Sequence, residues 1–166
     1  MEATVVDMMS ITTLLILCFQ IIFCNPFSDI LLLGGKTTSQ DFSTSTELVT
    51  PTFTCKPDIP EIPVRRIAAF SAVLGSRVYY CGGFKDVHSR DCHTFLLGQK
   101  RWEEDSSMRI ARMGAAMSVI GDRIFVTGGK GDNDVYYKSV ETFAVDNGWQ
   151  LEDSMVMPQR LSLIHI

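Results

Sequence analysis

The chain has no excess of positive charge, no helical spacing in its apolar runs, and no apolar stretch long enough to cross a bilayer comfortably. Fifteen Lys and Arg against nineteen Asp and Glu leave a net charge of −4, so there is no electrostatic footprint for nucleic acid. An apolar run, Ile11 to Cys24 (ITTLLILCFQIIFC), is 14 residues long, whereas a spanning helix needs about 20. Stable membrane insertion is therefore not expected. Spacings that carry chemistry are also missing. His88 and His93 lie near Cys81 and Cys92, but at intervals that match no familiar closed zinc site. Gly131 with Asp132, Asn133 and Asp134 does not meet the D-x-D-x-D-G order of a calcium loop, and a turn is the better reading. No catalytic residue, metal or cofactor is expected.

What is present is a repeat. Arg112 to Gly129 (RMGAAMSVIGDRIFVTGG) lies over Arg66 to Gly83 (RIAAFSAVLGSRVYYCGG) with seven of 18 positions identical, at an offset of 112 − 66 = 46 residues. Gly-Gly pairs stand at Gly34-Gly35, Gly82-Gly83 and Gly128-Gly129, and Trp102 and Trp149 are 47 apart. Markers of different residue type that share one period define a repeat protein. Within the unit, a run of small and apolar residues meets a two-residue turn (Gly75-Ser76, Gly121-Asp122). A β-branched and aromatic run follows and stops at Gly-Gly. Two such runs around a Gly turn predict a hairpin. A polar loop, a third strand, a turn and a short strand bearing Trp complete four antiparallel strands in about 47 residues, a propeller blade.

These residues resemble the kelch repeat, with Gly-Gly after the second strand, Trp in the fourth and Arg leading the next unit. The resemblance covers Asp29 to Arg160 and implies an all-β fold, a kelch-type β-propeller fragment of four-stranded antiparallel blades. It implies structural roles for Gly34, Gly35, Gly82, Gly83, Gly128, Gly129, Trp102 and Trp149. Two whole units and a partial one fall short of the four or more blades that close a propeller, so the chain reads as a piece of a larger one.

The expected organisation is an apolar leader over 1–27, a partial blade over 28–66, whole blades over 67–112 and 113–160, and an unrelated or truncated tail over 161–166. The apolar run suits a signal-peptide core, although the leader contains Glu2 and Asp7 and no Lys or Arg; a buried strand is the alternative. If the leader is removed, the first blade begins on its second strand, and its first strand is expected from the C-terminal end of a complete chain. Secretion is expected, with a cytoplasmic location as the alternative.

Cys81 ends the second strand of its unit and Cys92 begins the third; the matching positions of the next unit are Thr127 and Val140. A pair absent together predicts a disulfide clamping the hairpin. Free buried thiols, a metal site and a Cys-His nucleophile remain alternatives.

In a blade with strands a to d, the b–c loops and d–a connections share one face, and the a–b turns lie on the other. The a–b turns are minimal. The b–c loops are long and varied: Phe84, Lys85, Asp86, His88 and Arg90 in one unit; Lys130, Asp132, Asn133 and Asp134 in the next. Arg66 and Arg112 come to the same side. These eleven residues form the candidate binding face, for a protein or glycan partner; solvated loops with bracing arginines are the alternative. The expected function is a non-catalytic interaction module of a secreted propeller. The resemblance leaves two alternatives: a galactose-oxidase-like copper oxidase, for which Tyr79, Tyr80, Tyr136, Tyr137 and the three His carry no matching motif, and an intracellular ubiquitin-ligase substrate adaptor.

Overall fold

The computed structural model describes residues 20–24, 29–36, 42–49, 55–56 and 59–156. The tail over 161–166, residues 37–41, Arg160 and most of the leader lie outside the described residues. Among the described residues, twelve strands form three antiparallel sheets, each in sequence order. The first holds β1 (Gln20–Cys24), β2 (Asp29–Lys36), β3 (Phe42–Val49) and β4 (Cys55–Lys56). The second holds β5 (Phe70–Leu74), β6 (Arg77–Cys81), β7 (Cys92–Leu96) and β8 (Arg101–Asp105). The third holds β9 (Ala116–Ile120), β10 (Arg123–Thr127), β11 (Val140–Ala144) and β12 (Gly148–Glu152). A short 3-10 turn, Asp132–Asp134, lies in the β10–β11 loop. The first strands β1, β5 and β9 adjoin one another, which makes them the inner strands of successive propeller-like blades.

Gln20–Cys24 differs from the leader boundary at residue 27. It pairs with β2 from Gln20↔Leu33 to Cys24↔Asp29 and supplies the first strand of the first blade, a place the sequence reading filled from elsewhere. An apolar run has equal use for a leader and for a strand against an apolar partner, and β2 (DILLLGGK) is such a partner.

The alternation of strand faces puts the core between blades. Val78 and Tyr80 of β6 pack with Leu31, Leu33 and Phe95 toward the first blade. Tyr79 and Cys81, one residue out of phase, pack with Ile124, Val126, Phe143 and Trp149 toward the third. Both faces of the middle blade are thus spent on neighbours, and β7 reads as a continuous buried run. Each Trp also latches its blade to the preceding connector: Trp102 Nε1 donates to Pro60 O at 3.1 Å, and Trp149 Nε1 to Ser106 O at 2.9 Å.

Gly-Gly is required at the inner crossing of the chain. Gly82 and Gly83 have φ of +63° and +92°, and a Cβ on them would stand 2.7 Å from Arg112 O and 2.9 Å from Ile67 O respectively. Neither the conformation nor the space admits a side chain. Another left-handed position is shared by the repeats but filled differently: Gly114 has φ +58°, and its counterpart Ala68, 46 residues earlier, has φ +49°. A Cβ in this region costs about 1–2 kcal/mol, partly offset by the greater chain entropy of unfolded Gly. Ala68→Gly should therefore raise stability by up to about 1 kcal/mol, and Gly114→Ala should lower it by about 1 kcal/mol or more. Chemical denaturation of the two variants checks the opposite signs.

Candidate interaction face

The connectors and b–c loops are woven together through backbone bonds. Loop 82–91 of the second blade lies on the connector that leads into the third: Gly83 N–H donates to Arg112 O (2.9 Å), Arg112 N–H to Ser89 O (3.0 Å) and Met108 N–H to Arg90 O (2.9 Å). At the root of the loop, Cys81 and Cys92 face each other across the β6–β7 ladder with Cα atoms 4.1 Å apart, and their sulfurs are bonded. The corresponding pair in the third blade is Thr127↔Val140.

Arg66 and Arg112, placed on the binding face from the sequence, are instead buried, and this corrects their assignment. Their alkyl stems and guanidinium groups fill the space under the b–c loops, where the N–H donors of the fork meet fixed carbonyls. Arg66 Nη1 donates to Gly82 O (3.2 Å) and Asp91 O (3.0 Å). Arg112 Nη1 does the same to Gly128 O (2.7 Å) and Ser139 O (3.2 Å). Each arginine thus ties the two ends of its own b–c loop together. Burial pushes both guanidinium pKa values down, and the adjacent carboxylates, Asp91 and Glu141, push back.

The counter-charge sits differently in the two blades. Arg112 Nη2 bonds Glu141 Oε1 at 2.7 Å, with both side chains fully buried. Glu141 also accepts the backbone N–H of Arg109 (2.6 Å) and of Ile110 (3.1 Å). In the second blade the position of Glu141 is His93, and the position of Ser139 is Asp91. Arg66 Nη2 meets Asp91 Oδ2 at 3.2 Å, and the aspartate side chain is 57% exposed. The carboxylate has moved two residues along one strand face. Pro63, which aligns with Arg109, has no N–H that would need it. Burial, then the charge of Arg66, lowers the pKa of His93.

The remaining candidate residues do gather on this side. Lys85, Asp86 and Arg90 are exposed. With His88, Val64 and Ala111 they border an open cavity of about 360 Å³ between the loop and the connectors. Phe84 is half-buried and meets the His88 ring edge-on at 5.0 Å. His88 Nδ1 donates to Asp132 Oδ1 at 2.6 Å, and this joins the b–c loops of neighbouring blades. Asn133 is exposed at φ +56°, and Lys130 pairs with Asp134 at 2.5 Å. Apolar tips on this face escaped the sequence reading: Val87 is 71% exposed, Val135 50% and Tyr136 41%. Val87 and Val135 are counterparts 48 residues apart, so the repeat itself was the signal. Ser76 and Asp122 stand exposed in the two-residue turns at the other end of the blades.

Of the tyrosines, Tyr79 and Tyr80 are buried on opposite faces of β6, and burial pushes the Tyr80 phenol up to about 12. Among the described residues, no three His, Cys, Asp or Glu side chains group as a metal site, and no helix is long and apolar enough to cross a membrane.

The fully buried pair and the pair with an exposed carboxylate should respond differently to neutralisation. Glu141→Gln should cost about 3–5 kcal/mol, because it leaves Arg112 charged and uncompensated in the interior. Asp91→Asn should cost about 1 kcal/mol or less, because solvent screens that pair. Denaturant midpoints of the two variants check the ranking.

No protein-family model matches the chain. Over 63 residues it is 38% identical to a putative F-box/kelch-repeat protein of Arabidopsis thaliana, a match that takes in 37% of this chain and 17% of that protein. The likeness and the four-stranded antiparallel sheets agree that these units are kelch-like blades.

Proposed function

From kelch-repeat blades of this form, we propose that the chain is a non-catalytic module that binds a protein through its b–c loop face. The observation that carries this reading is the asymmetry between the two ends of the blades. One end has two-residue turns. The other has loops of 10 and 12 residues, 82–91 and 128–139, tied to each other by His88 and Asp132. Exposed Val87, Val135 and Tyr136 stand there among charges of both signs. Apolar tips within a polar rim suit a protein surface, and loops on a rigid scaffold are where such sites are built. A glycan partner could use the polar groups and the Tyr136 ring but would leave Val87 and Val135 idle.

We further propose a secreted protein. The Cys81–Cys92 bond belongs to an oxidising compartment, and with Gln20–Cys24 in the first blade the leader in this reading ends by residue 19. The F-box/kelch relative favours a second reading, an intracellular adaptor that presents a bound protein to other machinery.

Affinity capture with the complete protein tests the face. The triple variant Lys85→Ala, Asp86→Ala, Arg90→Ala should weaken capture of the bound protein about tenfold and leave the melting temperature within about 2 °C. Ser76→Ala with Asp122→Ala should do little. The reverse pattern would move the site to the opposite end. For the compartment, residues 1–30 fused to a reporter should direct it to the medium. A reporter retained in the cytosol overturns secretion and leaves the adaptor reading.

A further inference from the structure

We propose that the Cys81–Cys92 bond is a redox switch on loop 82–91, closing that loop when oxidised and releasing it, with the blade intact, when a dithiol reduces it. Its consequence for binding rests on the docking role given to this face; its chemistry does not.

The bond joins the last residue of β6 to the first of β7, so what it encloses is the loop alone. That loop carries Lys85, Asp86, Val87, His88 and Arg90. The third blade shows that the ladder does not need the bond: at the same register, Thr127 and Val140 pair as β10 and β11 continue. Both loops share one bond near the root, Ser89 N–H to Gly83 O and Tyr137 N–H to Gly129 O, each at 2.9 Å. Across its tip the third blade's loop adds a Lys130–Asp134 pair and Gly131 N–H to Val135 O (2.9 Å). Across the tip of loop 82–91, by contrast, Lys85 N–H reaches Val87 O only at 3.4 Å. Its tip therefore draws its order from the root, which the bond shares with the Arg66 and connector contacts. The effect extends to the neighbouring blade, because His88 leaves this loop to hold Asp132 at 2.6 Å.

The exchange balances without other reactants. A thiolate of the dithiol attacks one of the two sulfurs, the Cys81–Cys92 bond breaks, and a mixed disulfide forms. The second thiol of the reductant displaces the protein sulfur and leaves with the first as a disulfide. Two electrons pass to the protein, and both cysteines take up protons as thiols. Cys81 and Cys92 are buried, so exchange proceeds through transient opening of the loop end of the ladder, in the low-stability part of the blade.

The test uses the complete protein in three states: oxidised, equilibrated with dithiothreitol, and carrying Cys81→Thr with Cys92→Val, which reproduces the residue pair of the third blade. Trypsin cleavage after Lys85 and Arg90 should be about tenfold faster in the second and third states. Amide exchange over 84–90 and 130–136 should rise with it, the melt should stay cooperative, and the variant should ignore dithiothreitol. Equal cleavage in the oxidised and reduced protein overturns the switch. Loss of the cooperative melt on reduction also overturns it, because the bond would then staple the blade rather than the loop. Neither readout needs a partner, so unaltered capture by the Lys85, Asp86, Arg90 variant would sink the docking role and leave the switch standing.

Discussion

The loop face of the second and third blades depends on a buried guanidinium held at the base of each. Arg66 and Arg112 reach under their b–c loops and bond the carbonyls at both ends, Gly82 and Asp91 in one case and Gly128 and Ser139 in the other. A charge so deeply placed is tolerable only where most of its donors are satisfied and a carboxylate stands beside it. That requirement dictates the neighbouring residues. Gly-Gly lets the backbone come close enough for the carbonyls to meet the arginine, and the connector must deliver the next arginine's carbonyl to Gly83. The loops project from a closed, charge-balanced root, which makes them suitable as a rigid platform for binding.

The two blades meet the same electrostatic demand in different ways, with different surface consequences. Glu141 is sealed in and serves three donors at once, Arg112 and two connector amides. Asp91 stands at the loop's end, also accepts from Ser89 (2.9 Å) and remains largely open to water. The second blade accordingly borders the cavity beside Lys85 and Arg90. One carboxylate moved by a single step of the two-residue strand period is enough to shift a blade from sealed to accessible at this face.

Much of the fold was legible because repeats amplify weak signals. One Gly-Gly means little, but Gly-Gly, Arg and Trp in step mark strand ends and blade seams, and the unbroken apolar run of β6 marks a strand buried on both faces. The binding face was legible as a set of loops and less so as a set of side chains. Arg66 and Arg112 could be read from the sequence either as cations of the binding face or as braces; their carbonyl partners, 16 to 27 residues away in the chain, decide for the buried, bracing role. Val87 and Val135 were passed over because loop apolar residues carry no periodic signal within one unit.

By itself the sequence determined the strand pattern, the period and the places where no side chain fits, since each follows from local chain geometry and recurs. It also determined that Cys81 and Cys92 stand at facing ends of one hairpin. Tertiary structure decided what those residues do. Strand pairing turned Gln20–Cys24 from an apolar run into the first strand of a blade, because its backbone groups found partners on β2. Folding of the third blade and its connector placed Glu141 within reach of Arg112 and of the connector amides, and packing of blade on blade brought His88 to Asp132, 44 residues on. Contacts across that distance depend on how whole sheets lie against one another, which no spacing within a single unit encodes.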